Sequence, residues 1–164
     1  MSSKIKVLQV IPNLGYGGAE TGCYDLAHFL PEQGWKSFIM TSGGSLLKFV
    51  NKNKVCTFRF PVHSKNPLII LFNVFVISTI VICYNIDIVH ARSRAPAWSC
   101  YLSCLITRRK FVTTFHGTYS NFNLIKKIYN SVMLKSDLII AGSNFVFSHI
   151  NENYQKYLKD KNKL

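Results

Sequence analysis

The stretch KIKVLQVIPNLGYGGAE, Lys4 to Glu20, decides the fold. Its first half, IKVLQVI, is a nearly unbroken aliphatic run, the pattern of a strand buried on both faces. Just downstream, CYDLAHFL (Cys23–Leu30) carries apolar residues at helical spacing, so a helix is expected from about Ala19 to Gln33, stopped by Gly34. Between strand and helix stand Gly15, Gly17 and Gly18. Two readings stay open: a tight turn that needs positive φ, or a bare backbone that lets a ligand come close. The loop fits neither common phosphate-binding pattern. Glu20 occupies the place of the third glycine of a dinucleotide fingerprint, and no Lys-Ser/Thr pair comes after it. The helix N-terminus can still face an anion, and Glu20 in the first turn suits the helix dipole by itself.

The same alternation continues downstream. Strands are expected at Lys36–Ser42, Val55–Phe60, Asp87–Ala91, Lys110–His116 and Asp137–Gly142. Helices are expected at Ser45–Asn53 with Ser45 as N-cap, at Pro67–Tyr84, after Pro96, through NLIKKIYNSVMLKS, and after Ser143 as a cap. Short apolar strands alternating with helices imply right-handed βαβ units, hence an α/β fold: a Rossmann-like doubly wound parallel sheet. The chain shows no internal repeat and no linker. One domain over residues 1–155 is expected, with a Lys-rich tail over 156–164.

In such a sheet ligands sit outside the carboxyl ends of the strands. The glycine loop, HARSRAP (His90–Pro96), HGTYSN (His116–Asn121) and GSNF (Gly142–Phe145) all fall at such ends. Arg92 and Arg94 flank Ser93 and can grip a phosphate or carboxylate, or form an ordinary solvated loop. His90 can face the core or the ligand. His116 can donate to a sugar hydroxyl or move a proton, or pack against backbone. Ser143 reads best as a helix cap.

Composition bounds the rest. The 164 residues include 20 Lys+Arg against 7 Asp+Glu, a formal charge of +13 that favours anionic partners. An AT-rich codon bias explains the same lysines equally well. The seven acids form no pair at glycosidase spacing, and no G-x-S-x-G elbow is present. No metal site is expected, and no nucleic-acid module is recognisable. The cysteines at 23, 56, 83, 100 and 104 form no CxxC pair and read as reduced thiols of a cytoplasmic protein. The N-terminus has no signal-peptide pattern. PLIILFNVFVISTIVICY (Pro67–Tyr84) is uncharged and at the short limit of a membrane span. It reads as a core helix, a membrane-surface helix or a span.

Four stretches in register, IPNLGYGGAE, DIVHARSRAPAW, TTFHGTY and SDLIIAGSNF, resemble the N-terminal domain of bacterial family 4 glycosyltransferases of the GT-B type. The resemblance covers about Lys4 to Tyr154, and HARSRAPAW looks most like transferases of lipopolysaccharide or cell-surface polysaccharide assembly. It implies two Rossmann-like domains facing across a cleft. A sugar would pass from a nucleotide-sugar to an acceptor with retention, without an obligatory metal or other cofactor. By the same resemblance Gly15, Gly17 and Gly18 form the loop near the donor diphosphate. His116 lies by the donor sugar as the candidate catalytic residue, and His90, Arg92, Ser93 and Arg94 lie on the acceptor side.

The donor-binding C-terminal domain is expected to be missing, which makes the chain a truncated or split half that is inactive alone. Expected partners are a nucleotide-sugar donor, an anionic saccharide or lipid-linked acceptor, a separate C-terminal half chain and an anionic membrane surface, but no nucleic acid. The expected location is the cytoplasm, peripheral to the inner face of the membrane. The alternative is a non-catalytic membrane-surface module that uses the 67–84 helix and the basic charge.

Overall fold

The structure is a computed structural model that describes residues 4–119 and 124–154. Six parallel strands form one sheet: β1 (Lys6–Ile11), β2 (Lys36–Thr41), β3 (Val55–Arg59), β4 (Ile88–Ala91), β5 (Lys110–Phe115) and β6 (Leu138–Ala141). Their spatial order is β3-β2-β1-β4-β5-β6. The helices are α1 (Gly18–Glu32), α2 (Pro67–Tyr84), α3 (Arg94–Thr107), α4 (Leu124–Ser131) and α5 (Asn144–Tyr154). The doubly wound parallel sheet expected from the alternation is the observed fold.

Two cores hold it, one on each face of the sheet. Alternate residues of β1 divide between them: Leu8 and Val10 join the larger core with Ile77, Val81, Cys100 and Phe115, whereas Ile11 joins the smaller one with Leu14, Cys23, Ala27 and Ile39. That division follows from the two-residue period of a strand. α1 covers β1–β3 on the smaller side, and α2 and α3 pack side by side on the larger. Their contact is pinned by a buried Ser78–Ser103 hydroxyl pair at 2.9 Å. Two acids tie strand starts together at the edge opposite the ligand, and two asparagines bound α2. Asp87, just before β4, accepts from the Lys6 N–H of β1 (2.9 Å), and Asp137, just before β6, accepts from the Phe111 N–H of β5 (2.8 Å), which fixes the amino ends of four strands. Asn66 caps α2 by accepting from the Leu68 N–H (2.9 Å), and Asn85 ends it in the left-handed region.

Several expected boundaries shift. Ser45 is not an N-cap: Gly44 is, and Ser45–Phe49 is a 3-10 turn rather than a helix to Asn53. The helix placed after Pro96 starts earlier, at Arg94, with Ser93 as its N-cap residue, so Pro96 sits in its first turn. The helix through NLIKKIYNSVMLKS divides into α4 and a separate 3-10 turn, Val132–Leu134, whose side chains are buried. The last helix is described to Tyr154; the Lys-rich tail lies outside the described residues.

α2 meets length and composition limits for crossing a membrane, with mean hydropathy 2.4, but 39% of it is buried in the protein. Asn73, Val74, Ile77, Ser78 and Val81 face inward. Leu68 (76% exposed), Leu71, Phe72 and Phe75 (71%) form an outward apolar stripe at spacings of three and four.

Candidate functional site

β1 and β4 are neighbours, yet the chain leaves them in opposite directions along the sheet, to β2 and to β5. This is the topological switch point, where a crevice opens at the carboxyl ends of the strands. A cleft of about 230 Å³ lies there. Asn13 and Glu20 line it from the first loop and helix, Arg92, Ser93 and Arg94 from the loop after β4, and His116 from the end of β5. A larger hollow of about 350 Å³ among Arg108, Arg109, Lys110 and Asp137 sits at the amino ends of the strands. Its volume is greater, but no strand's carboxyl end reaches it, so we place the site at the switch point.

The glycine loop is built differently from a tight turn. Positive φ occurs at Gly34, Gly43 and Gly44, and not at Gly15, Gly17 or Gly18. Gly17 is the N-cap of α1 with φ −75°, and no side chain caps the helix. A Cβ on Gly18 would meet nothing, and on Gly17 it would meet only the Glu20 carboxylate. The positive-φ reading therefore does not hold; these glycines leave backbone bare at a helix N-terminus. The strained glycine is Gly44, at φ +134°, whose missing side chain makes room for the Leu14 backbone. Leu14 N–H donates to the Gly43 carbonyl (2.7 Å) and Leu46 N–H donates to the Leu14 carbonyl (2.9 Å). The base of the loop is thus fixed to the loop after β2.

Arg92 is the electrostatic centre. Only 8% of it is exposed, and its Nη1 donates to Gln9 Oε1 at 2.9 Å. Gln9 in turn donates from Nε2 to the Cys23 carbonyl (3.1 Å). The buried Arg92 Nε has no hydrogen-bond partner among the described residues, and no carboxylate there pairs with the guanidinium. Burial pushes the Arg92 pKa down, while the nearby Cys23 and Glu20 oppose the shift. Arg92 thus brings to the cleft wall a positive charge that no carboxylate among the described residues pairs with.

His90 does not reach the cleft. It is 4% exposed and lies within the sheet, with Nε2 2.7 Å from Thr114 Oγ1. Desolvation, then Arg92 and His116, lower its pKa to about 3, so it stays neutral. Together with Gln9 and Thr114 it forms a polar floor under the site. His116 does line the cleft, on the exposed side of β5's end. Desolvation on its covered side and the Arg92 charge lower its pKa to about 4, against the opposing pull of Glu20. A neutral imidazole here can accept a proton or donate a hydrogen bond.

Ser93 borders the cleft as the N-cap residue of α3, though its side chain makes no capping bond. Arg94 is held by Asn130 Oδ1 (Nη1 donor, 3.0 Å) and lies 4.1 Å from the Tyr119 ring centre. Ser143 is the expected cap, its Oγ accepting from the Val146 N–H at 3.2 Å. Sequence reading missed Gln9, Tyr119 and Asn130. Only Gln9 carried a signal, as the single polar residue inside VLQVI. Among the described residues no group of three or more His, Cys, Asp or Glu side chains is arranged to hold a metal.

The chain matches Glycosyltransferase Family 4 over residues 16–160. Among solved structures it is similar to a glycosyltransferase from Rickettsia africae, at 45% identity and a TM-score of 0.82, over 98% of this chain and 42% of that one. It is also similar to Anabaena HepE, solved with UDP and glucose, at 16% identity and a TM-score of 0.68, over 90% of this chain and 41% of that one. Sucrose-phosphate synthase from Thermosynechococcus elongatus matches at 12% identity and a TM-score of 0.71, over 90% of this chain and 45% of that one. The last two likenesses are likenesses of fold. No curated protein matches the sequence. The chain spans less than half the length of these three solved relatives. By its family match and its near relative, the chain belongs to Glycosyltransferase Family 4.

Proposed function

We propose that this chain is the acceptor-side half of a retaining sugar transferase. It would act on a nucleotide-sugar donor and a lipopolysaccharide or cell-surface polysaccharide acceptor. The observation that carries the reading is the unpaired Arg92 charge at the switch point, beneath the bare N-terminus of α1. Gly15, Gly17 and Gly18 border the donor diphosphate. His116 faces the reacting sugar, and Ser93 and Arg94 contact the acceptor. His90 supports from below rather than touching the acceptor. The half alone is proposed to be inactive, because a transition state in a cleft needs preorganised groups on both walls. A second polypeptide or segment would then supply the wall that grips the nucleotide.

Amide NMR of the chain with pyrophosphate tests the site. Shifts should concentrate at Gly17, Gly18, Arg92 and Ser93. Shifts confined to Arg108–Lys110 would move the site to the opposite edge.

The outward stripe of α2 favours a second role, attachment to the inner face of the cytoplasmic membrane. That role is compatible with transfer and also stands alone, as a non-catalytic surface module. Sedimentation with anionic vesicles in the absence of any transferase activity would favour the module.

A further inference from the structure

We propose that the hollow at the amino ends of the strands docks an acidic segment of a partner protein, one that carries aliphatic residues between its carboxylates. The hollow lies where α3 ends and where β5 and β6 begin, at the edge opposite the cleft. Arg108, Arg109, Lys110 and Lys135 line it, and Asp137 is the acid among its lining residues. That acid is engaged: its Oδ1 lies 3.4 Å from Lys110 Nζ, and its Oδ2 accepts from the Phe111 N–H. Arg109 is engaged too, donating to Asn85 Oδ1 (2.6 Å) and lying 3.8 Å from Asp87. Lys135 Nζ stands 5.5 Å from the centre of the Tyr101 ring. The Arg108 guanidinium has no hydrogen bond or ion pair among the described residues.

Arg108 also sits where a large side chain works against the backbone. It ends α3 at φ +55°, in the left-handed region that Gly and Asn fill most easily. Asn85, at the end of α2, follows that preference, and Arg109 uses its amide oxygen. Arg108 gains no such internal partner, so its fork of N–H donors is open to a carboxylate from outside. Leu105, 58% exposed, gives the hollow an apolar wall, and Ile106, 65% exposed, follows it on α3. Cations beside exposed aliphatic side chains complement a segment whose acids flank aliphatic residues. Nucleic acid fits less well. Asp137 would face its phosphates, and of the two rings in the lining Phe111 is buried and Tyr101 carries Lys135 over its face, so neither is a platform for stacked bases. The inference goes beyond the transferase reading and does not rest on it, because the partner would leave the cleft free.

The test is fluorescence anisotropy of the full chain with a labelled peptide of Glu-Glu-Leu repeats at near-physiological salt. Peptides of Gln-Gln-Leu and of Glu-Glu-Ser repeats should each bind roughly tenfold more weakly. Arg108→Gly with Lys135→Ala should weaken the Glu-Glu-Leu peptide roughly tenfold. Lys48→Ala with Lys52→Ala removes the same charge beside β3, the strand farthest from β6, and should change binding by no more than about twofold. All four positions are exposed, so the fold should survive, which circular dichroism checks. Arg108→Gly alone should raise the urea midpoint, because Gly takes a positive φ freely. Equal binding of the three peptides, binding indifferent to Arg108 and Lys135, or a lowered midpoint for Arg108→Gly would each overturn the proposal. So would tighter binding of a single-stranded RNA that the same two changes abolish, since the hollow would then be a nucleic-acid site.

Discussion

Replacing Arg92 by Met, with Gln9 replaced by Leu, should make the protein more stable and blind to anions. The guanidinium is almost wholly buried and meets one side-chain acceptor, Gln9 Oε1 at 2.9 Å. An unpaired buried ion carries an effective desolvation penalty of several kcal/mol. The charge-assisted bond to Gln9 returns about 1.5–3 kcal/mol, and Glu20 adds a screened attraction. Arg92→Met alone removes the penalty but leaves Gln9 Oε1 without its partner, at about 1–3 kcal/mol, so the single change comes out near neutral. Adding Gln9→Leu removes that orphan. The Cys23 carbonyl loses the Gln9 donor but keeps its place in the α1 ladder. The double variant should gain ~1–2 kcal/mol over the parent.

Urea unfolding with and without pyrophosphate reads both effects. The parent should gain ~1.4 kcal/mol at ten times the dissociation constant, and the double variant nothing. A double variant that loses more than about 1 kcal/mol and keeps its anion response would show that Arg92 is a structural strut, and the reasoning would fail.

Other expectations rest on the same geometry. His90 refuses a proton that the unfolded chain accepts near pH 6.5, so stability rises with pH from about 3 to 6.5 and falls on acidification through that window. Between about pH 7.5 and pH 5 the loss from His90 should be ~2 kcal/mol in urea unfolding, and a flat profile would contradict its burial. Gly44→Ala should destabilise by roughly 2–4 kcal/mol, since it combines a positive φ with overlap against the Leu14 backbone. Ser78→Ala or Ser103→Ala alone should cost about 1–3 kcal/mol, but the pair together much less, because each single change orphans the other hydroxyl. In native thiol labelling the exposed Cys83 should react first. Cys23 and Cys104, pushed up to about 12 by burial, should stay unmodified, and early labelling of either would refute the packing of α1 or α3.

The strand-helix alternation was legible because parallel strands are apolar on both faces and because Pro, Gly and Asx residues punctuate them. The meeting of the glycine loop, HARSR and HG at one edge came from the parallel direction of the strands, whose carboxyl ends share that edge. Orientation about each strand was not legible. His90 and Arg92 lie two residues apart, yet one forms the floor and the other the wall, because β4 ends at Ala91 and the chain turns there. The role of the glycines was illegible for a related reason. Glycine content signals freedom without saying whether φ or bare surface uses it, and here the positive φ fell to Gly43 and Gly44. α2 was ambiguous in composition, since its inward side also holds Asn73 and Ser78; only packing shows which side is covered.

Reconstituted sugar transfer tests the central claim most directly. The chain would be mixed with the part of the Rickettsia africae relative that lies beyond the matched 42%, produced as a separate polypeptide. Labelled UDP-sugars and bacterial membranes would serve as donor and acceptor. Transfer into the membrane fraction should require both polypeptides and should fall roughly a hundredfold with His116→Ala. Transfer by the chain alone, or reconstituted transfer indifferent to His116 and Arg92, would contradict an acceptor-side half built around this cleft.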